Sequence, residues 1–267
     1  MPTVKVKGIR IYYERGGAGT AVLFITGLGG DHQPWAPLAG QLKDQYECIT
    51  FDNRGIGQSS RPASGYTMSD LTRDTIGLLE ALSISRAHIV GMSMGGLVAQ
   101  NIALQQPERV LGLVLLGSFA AGDARLNHVP ASRKSMMKRM TRYEYFWAIA
   151  AWMFGLKSLE RPAFIDGFAK MAASNPHPQS LRAFSQLVDG IAEFDNRAHL
   201  KDIRKPTLVM VGEQDILTPP HLSRALAEGI PGAELEIVPG VGHLCISEDT
   251  KGVADRLLRF FKRVDAM

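Results

Sequence analysis

The chain carries only two cysteines, Cys48 and Cys245, in 267 residues. They fall in different expected elements, so no disulfide framework is needed. No run approaches the roughly eighteen apolar residues of a membrane span. The net charge of +4 is too small an excess to argue by itself for nucleic acid. Low-complexity tracts and internal repeats are lacking as well. The opening residues, Met1-Pro2-Thr3-Val4-Lys5, alternate like a strand and lack the apolar core of a signal peptide. What is left is a soluble globular composition, 45% hydrophobic and 21% charged. The expectation is a cytoplasmic, metal-free protein with one large α/β domain, or one domain carrying an insertion.

Thr3-Val4-Lys5-Val6 and Ile9-Arg10-Ile11-Tyr12-Tyr13 flank Lys7-Gly8 and read as an opening hairpin. Ala21 to Thr26 is a continuous apolar strand, as expected where both faces of a parallel sheet are covered. Trp35 to Gln45 reads as a helix and Tyr46 to Phe51 as the next strand. Leu71, Ile76, Leu78, Leu79 and Leu82 recur at helical spacing. Further strands are Ala87 to Val90, Val110 to Leu116, Thr207 to Val211 and Leu235 to Val238. Helices are expected over Gly96 to Gln106, around His221 to Glu228, and, amphipathic with its apolar face to the core, over Val253 to Val264. Such alternation implies a mostly parallel sheet covered on both faces. The alternation breaks over residues 119–199, which hold helix-like pieces rich in Met, Phe, Trp and Ala. That segment is read as a helical cap over the carboxyl edge of the sheet, where ligands bind in open α/β folds.

Gly91-Met92-Ser93-Met94-Gly95 lies between an expected strand and an expected helix. A G-x-S-x-G in that context is a nucleophile elbow, whereas alone it also occurs by chance in glycine-containing loops. The turn strains the serine backbone, and glycine neighbours avoid Cβ clashes in the corner. A serine hydroxyl is a poor nucleophile without a base. Among seven histidines, His243 stands out, in Pro239-Gly240-Val241-Gly242-His243 just after the last strand. Its imidazole needs an acid to fix the tautomer. Asp215 follows directly from the strand ending at Val211; Asp123 is the rival, in a looser Ala/Gly context. The chain order Ser93, Asp215, His243 is that of an α/β-hydrolase.

An oxyanion needs two donors, expected here from the backbone N–H of Met94 and of Leu28, within Thr26-Gly27-Leu28-Gly29-Gly30. A dinucleotide role for that turn is disfavoured. Gly27 and Gly29 begin a G-x-G-x-x-G, but the sixth position is His32, a hairpin precedes the strand, and no Walker-type lysine follows.

With these residues in place, the chain resembles the α/β-hydrolase fold family over essentially its whole length. Phe51-Asp52-Asn53-Arg54-Gly55-Ile56-Gly57-Gln58-Ser59 is similar to the family's Asp-x-Arg-Gly-x-Gly-x-Ser loop, mainly structural there. Ile203-Arg204-Lys205-Pro206-Thr207-Leu208-Val209, then Gly212-Glu213-Gln214-Asp215, resembles the approach to the family's acid. Among subgroups the chain looks most like small serine esterases and lactonases of the 3-oxoadipate enol-lactonase type. The resemblance implies an eight-stranded, mostly parallel sheet: a core of residues 1–118 and 200–267, with the cap at 119–199. It also implies cleavage of an ester or lactone through an acyl-enzyme, with no cofactor. One departure is Thr26-Gly27 where the family usually has His-Gly. Members with an aspartate nucleophile are disfavoured by Ser93.

Trp35, Phe119, Phe146, Trp147, Trp152, Leu217 and Leu244 are the expected substrate contacts, suited to a small to medium hydrophobic ester. Arg125, Arg133, Lys134, Lys138, Arg139 and Arg142 occur with no acid between Arg125 and Arg142. They read first as a solvated helix face, and otherwise as a landing site for an acidic carrier protein or a coenzyme A thioester. Neither nucleic acid nor membrane is an expected partner. Cys245 reads as a small buried filler. The alternatives to an esterase are a thioesterase and a ligand receptor that does not turn over.

Overall fold

The computed structural model describes residues 2–63 and 65–267, so Met1 and Ser64 of the expected core lie outside the described residues. Chain order begins with β1 (Thr3–Val6), β2 (Ile9–Gly16), β3 (Thr20–Ile25), α1 (Ala36–Leu42), β4 (Tyr46–Phe51), α2 (Met68–Ala81), β5 (Ala87–Met92), α3 (Met94–Gln105) and β6 (Val110–Leu116). Five helices follow: α4 (Ala124–Met137), α5 (Arg142–Met153), α6 (Leu156–Leu159), α7 (Pro162–Ser174) and α8 (Leu181–Ala192). The chain then returns through β7 (Thr207–Gly212), α9 (Pro220–Gly229), β8 (Glu234–Val238), α10 (Cys245–Glu248) and α11 (Thr250–Asp265).

The sheet has eight strands in the order β1-β2-β4-β3-β5-β6-β7-β8. β1, β2 and β4 pair antiparallel, and every pair from β4–β3 onward is parallel. All six residues of the central strand β5 are buried, His88 included. One face packs Val22, Phe24, Val90, Val114 and Leu208 against α1 and the apolar side of α11. The other packs Leu23, Ile25, Ile89, Leu113 and Val209 against α2, α3 and α9. Register sets the site. Ile25 pairs with Gly91, Met92 with Leu116, Leu116 with Met210, and Gly212 with Val238. The loops leaving β3, β5, β6, β7 and β8 therefore emerge along one carboxyl edge.

Helices α4–α8 fill the interval between β6 and β7. The stems of this insertion are clipped together: Asn196 N–H donates to Ala120 O at 2.8 Å, and Ala121 bridges Asp195. A small aromatic core binds α5 to α7, with Phe154 at 5.2 Å from Phe164 and 4.9 Å from Phe168 between ring centres. The far end of α5 is tied to the loop after β8. Leu244 N–H donates to Met153 O at 3.0 Å, and Glu248 accepts from Gly155 N–H at 2.9 Å and Gly242 N–H at 2.6 Å. Among the described residues no helix is long and apolar enough to cross a membrane.

Candidate active site

Ser93 stands at the corner between β5 and α3 with φ 53° and ψ −121°, a left-handed conformation costly for a residue with a Cβ. The fold holds it there from three sides. Ser93 N–H donates to Leu116 O at 2.8 Å, while Ser93 O accepts from Gly96 N–H at 2.9 Å and from Ser118 Oγ at 2.9 Å. The glycines of the pentapeptide are required by space. A Cβ on Gly91 would run into the Gly95 carbonyl, and one on Gly95 into the Ile25 carbonyl.

Asp215 and His243 meet as expected: Nδ1 of His243 is 2.8 Å from Oδ2 of Asp215, and both side chains are buried. The carboxylate is fully engaged. Oδ1 accepts from Leu217 N–H and Thr218 N–H, each at 2.9 Å, and Oδ2 also takes the Thr218 hydroxyl at 2.8 Å. An Nδ1–H donated to Asp215 leaves Nε2 free as the basic nitrogen. Gly117 is the hinge between this pair and the elbow. A Cβ there would lie 3.1 Å from Asp215 Oδ2 and 3.3 Å from His243 Nδ1, while its neighbours Leu116 and Ser118 bind the Ser93 backbone. The Ser93 hydroxyl itself makes no hydrogen bond among the described residues, so serine and imidazole are not directly linked. Catalytic hydrogen bonds commonly tighten only when substrate binds. The rival acid is elsewhere: Asp123 caps α4, and its nearest imidazole is His221 at 3.3 Å.

The turn after β3 presses on the elbow. A Cβ on Gly27 would lie 3.1 Å from Ser93 Cβ and 3.2 Å from Met92 O, so a side chain there would have to push the two turns apart by a few tenths of an ångström. The N–H groups of Met94 and Leu28 have no partner among the described residues; Met94 is the first residue of α3, where donors are left over. Thr26, at the family's usual histidine, supports the turn in its own way. Its hydroxyl donates to Asp31 O at 3.2 Å and accepts from the Trp35 indole at 2.7 Å. The Asp52 loop anchors the far end of the turn. Asp52 Oδ1 accepts from His32 N–H at 2.9 Å and lies 2.7 Å from its Nδ1, and Oδ2 accepts from Gln58 N–H at 2.8 Å. Burial pulls the His32 pKa down, but hydrogen bonding and charge from Asp52, with Glu14 and Asp31 behind it, outweigh this and raise it above the ordinary value.

Three expected substrate contacts need correction. Trp35 is wholly buried against Phe24 at 5.0 Å, with its indole N–H spent on Thr26. Phe119 is likewise core, its ring sharing the cluster of Leu97 and Leu187. Trp147 is 56% exposed on the outer side of α5, because its neighbours Tyr145 and Ile149 take the inward positions. Phe146, Trp152 and Leu244 are half-buried, and Leu217 is buried next to Asp215. Arg133 also departs from the solvated face expected of the cap cations: it is buried, for the physical reason that its guanidinium stacks on Phe184 and Tyr145. Cys245 is the buried filler expected, its thiol pushed up to about 12 by burial first and by Asp215 and Glu248 next. The sequence reading missed Thr218 and Glu248. A hydroxyl three residues beyond the acid was the one available signal for Thr218, and Glu248 had none.

The profile of the alpha/beta hydrolase fold matches residues 20–250. A protein named carbamate hydrolase RutD, from Azorhizobium caulinodans, is 30% identical over 96% of this chain and 96% of its own. The thermophilic esterase from Thermogutta terrifontis superposes with a TM-score of 0.87 at 26% identity, covering 99% of both chains. The enol-lactonase from Burkholderia xenovorans shares the fold with a TM-score of 0.88 at 24% identity, over 98% of this chain and all of that one. With a matching profile across most of its length, an elbow serine and a strand order of this kind, the chain belongs to the α/β-hydrolase fold family.

Proposed function

We propose that this protein is a serine hydrolase that cleaves a carboxylic ester or lactone of a small to medium hydrophobic substrate through an acyl-enzyme. The observation that carries the reading is the buried His243–Asp215 pair, 2.8 Å apart, set one turn away from the strained Ser93. In this reading His243 Nε2 takes the proton as Ser93 Oγ attacks the carbonyl carbon. The oxyanion accepts hydrogen bonds from Met94 N–H and Leu28 N–H. Collapse breaks the acyl–oxygen bond, and the imidazolium gives its proton to the leaving alkoxide. Water, deprotonated by the same nitrogen, then attacks the acyl carbon and returns Ser93 with a free acid. No step calls on a metal or an organic cofactor. Phe146, Trp152, Leu217 and Leu244 are assigned to the acyl and alcohol groups.

Support comes from similar proteins named esterase and enol-lactonase, while the name carbamate hydrolase adds a neighbouring acyl bond worth assaying. A second reading is a thioesterase for carrier-bound acyl groups. It is favoured by exposed Lys138, Arg139 and Arg142 beside exposed Met140, Tyr143 and Trp147 on the cap. The test is steady-state turnover on p-nitrophenyl esters of graded length, a δ-lactone, an acyl-coenzyme A and a p-nitrophenyl carbamate. Multiple turnovers on esters or lactones, abolished by Ser93→Ala, are expected. Turnover that survives Ser93→Ala would overturn the reading, and labelling by a fluorophosphonate without any turnover would favour a receptor.

A further inference from the structure

The cap meets the core at a further place, away from the base loop. α7 ends at Ser174, and Asn175 follows it with both ends of its amide engaged. Its Nδ2–H donates to Asp31 Oδ2 at 2.7 Å, and its Oδ1 accepts from His177 N–H at 2.8 Å. The same bend brings His177 O to Gly57 N–H at 3.1 Å. Gly57 belongs to the Asp52 loop, whose carboxylate holds His32 N–H and Gln58 N–H. One short cap segment therefore grips the core at two linked points, Asp31 directly and His32 by way of the Asp52 loop.

Asp31 is where this grip matters. It is buried, with 6% of its surface exposed, so its carboxylate needs donors on both oxygens. Gln33 supplies two, its N–H to Oδ1 and its Nε2–H to Oδ2, each at 3.0 Å. Asn175 supplies the third, and it comes from the cap. Asp31 O in turn accepts the Thr26 hydroxyl, which closes the turn on itself. Leu28 lies inside that ring of residues 26–31, next to Gly27, which faces Ser93 Cβ. The direction of Leu28 N–H is thus set by where Thr26 and Asp31 stand. Thr26 is fixed by the core and Asp31 in part by the cap.

We infer that Asn175 is a positioning residue for oxyanion stabilisation: it fixes Asp31, and Asp31 fixes the turn that presents Leu28 N–H. This rests on the serine-hydrolase reading and adds to it that the two oxyanion donors are in register only while the cap is docked. A donor of this kind works by being aimed before the charge develops. Removing one outright costs about a hundredfold to a thousandfold in kcat. One left on a loosened turn should cost about tenfold to a hundredfold. The loss falls on the transition state, so it appears in kcat and not in KM.

Two measurements test this. The first is kcat and KM on p-nitrophenyl butyrate, with kcat taken per serine titrated by a fluorophosphonate. Asn175→Ala should lower kcat about tenfold or more and change KM less than about threefold. Asn175→Asp, nearly the same shape, sets two carboxylates against each other and should lose more. Asp31→Asn/Asn175→Asp again faces a donor with an acceptor and should recover about tenfold in kcat over Asn175→Asp. A part in stability alone would move Tm and leave kcat per serine where it was. The second measurement needs no turnover. Amide hydrogen exchange at Gly30 and Gln33, bonded to Gly27 O and Asp31 Oδ1, should quicken in Asn175→Ala while β3 exchanges as before. If the wild type turns over no ester, only the hydrolase reading fails, and exchange decides whether Asn175 holds the turn. Unchanged exchange in a folded Asn175→Ala protein, unchanged kcat per serine, or a double variant no faster than Asn175→Asp would overturn the assignment.

Discussion

Replacing Asp215 by Asn isolates the electrostatic part of the proposed relay, because the surroundings dictate how the amide must sit. Two backbone N–H groups, from Leu217 and Thr218, point at Oδ1 from 2.9 Å. The carbonyl oxygen of an asparagine has to take that place. The reverse orientation would leave two buried donors facing an NH2 group, at about 1–3 kcal/mol for each. The NH2 group then occupies the Oδ2 position, 2.8 Å from His243 Nδ1. A donor there forces Nδ1 to act as acceptor and moves the imidazole proton to Nε2. That nitrogen can no longer take the proton of Ser93 Oγ. In a serine-protease triad the same tautomer error lowers kcat about ten thousandfold, which is about 5 kcal/mol of barrier. The flipped minority with the correct tautomer, disfavoured by roughly 2–6 kcal/mol in total, limits the damage. The expected loss in kcat for the best ester is thus between about thirtyfold and about ten thousandfold. Folding should change little, because every partner of the carboxylate still finds one on the amide. The assay is kcat on p-nitrophenyl butyrate with Tm measured in parallel. A loss under tenfold in a protein with native Tm would refute the claim that Asp215 orients the base.

Two other outcomes are expected. Glu248→Gln keeps one acceptor for the N–H groups of Gly242 and Gly155 and turns the other into a donor. Losing one charge-assisted bond costs about 1.5–3 kcal/mol, so Tm should fall by about 3–12 °C, with kcat reduced as the His243 loop loosens; an unchanged Tm would count against this latch. His32 has a folded-state pKa above its ordinary 6.5, so the stabilisation from its contacts with Asp52 and Glu14 is full below that pH and fades as pH rises through the raised value. The Tm difference between wild type and His32→Gln should therefore be largest near pH 5 and shrink toward pH 8, and a difference that grows with pH would contradict the assignment.

The strands were legible because burial on both faces leaves unbroken apolar runs. β4 and β6 fall at the expected residues, and β3 and β5 begin or end within two. Helix starts were less so. α2 begins at Met68, three residues earlier than the apolar spacing shows, because Thr67 and Asp70 close a capping box ahead of the first buried turn. α1 stops at Leu42, short of the expected Gln45, and is led by a tight turn through Trp35. The elbow serine and the Asp215–His243 pair were legible because each lies just after a strand. What escaped is what only folding brings together: Thr218 beneath the dyad, Glu248 joining the cap to the base loop, and Arg133 turned inward from a run of cations. Trp35 and Trp147 failed in opposite directions for one reason. Nearness in sequence to a motif does not say which face of a helix a side chain takes, and the core claimed one ring while solvent kept the other.

The central claim is that Ser93 carries the acyl group, and intact-protein mass spectrometry during quenched turnover of a slow p-nitrophenyl ester tests it most directly. The account predicts a mass increase equal to one acyl group, mapped by digestion to the peptide holding Ser93 and absent in Ser93→Ala. Turnover with no such adduct at any quench time, or an adduct on another residue, would contradict it.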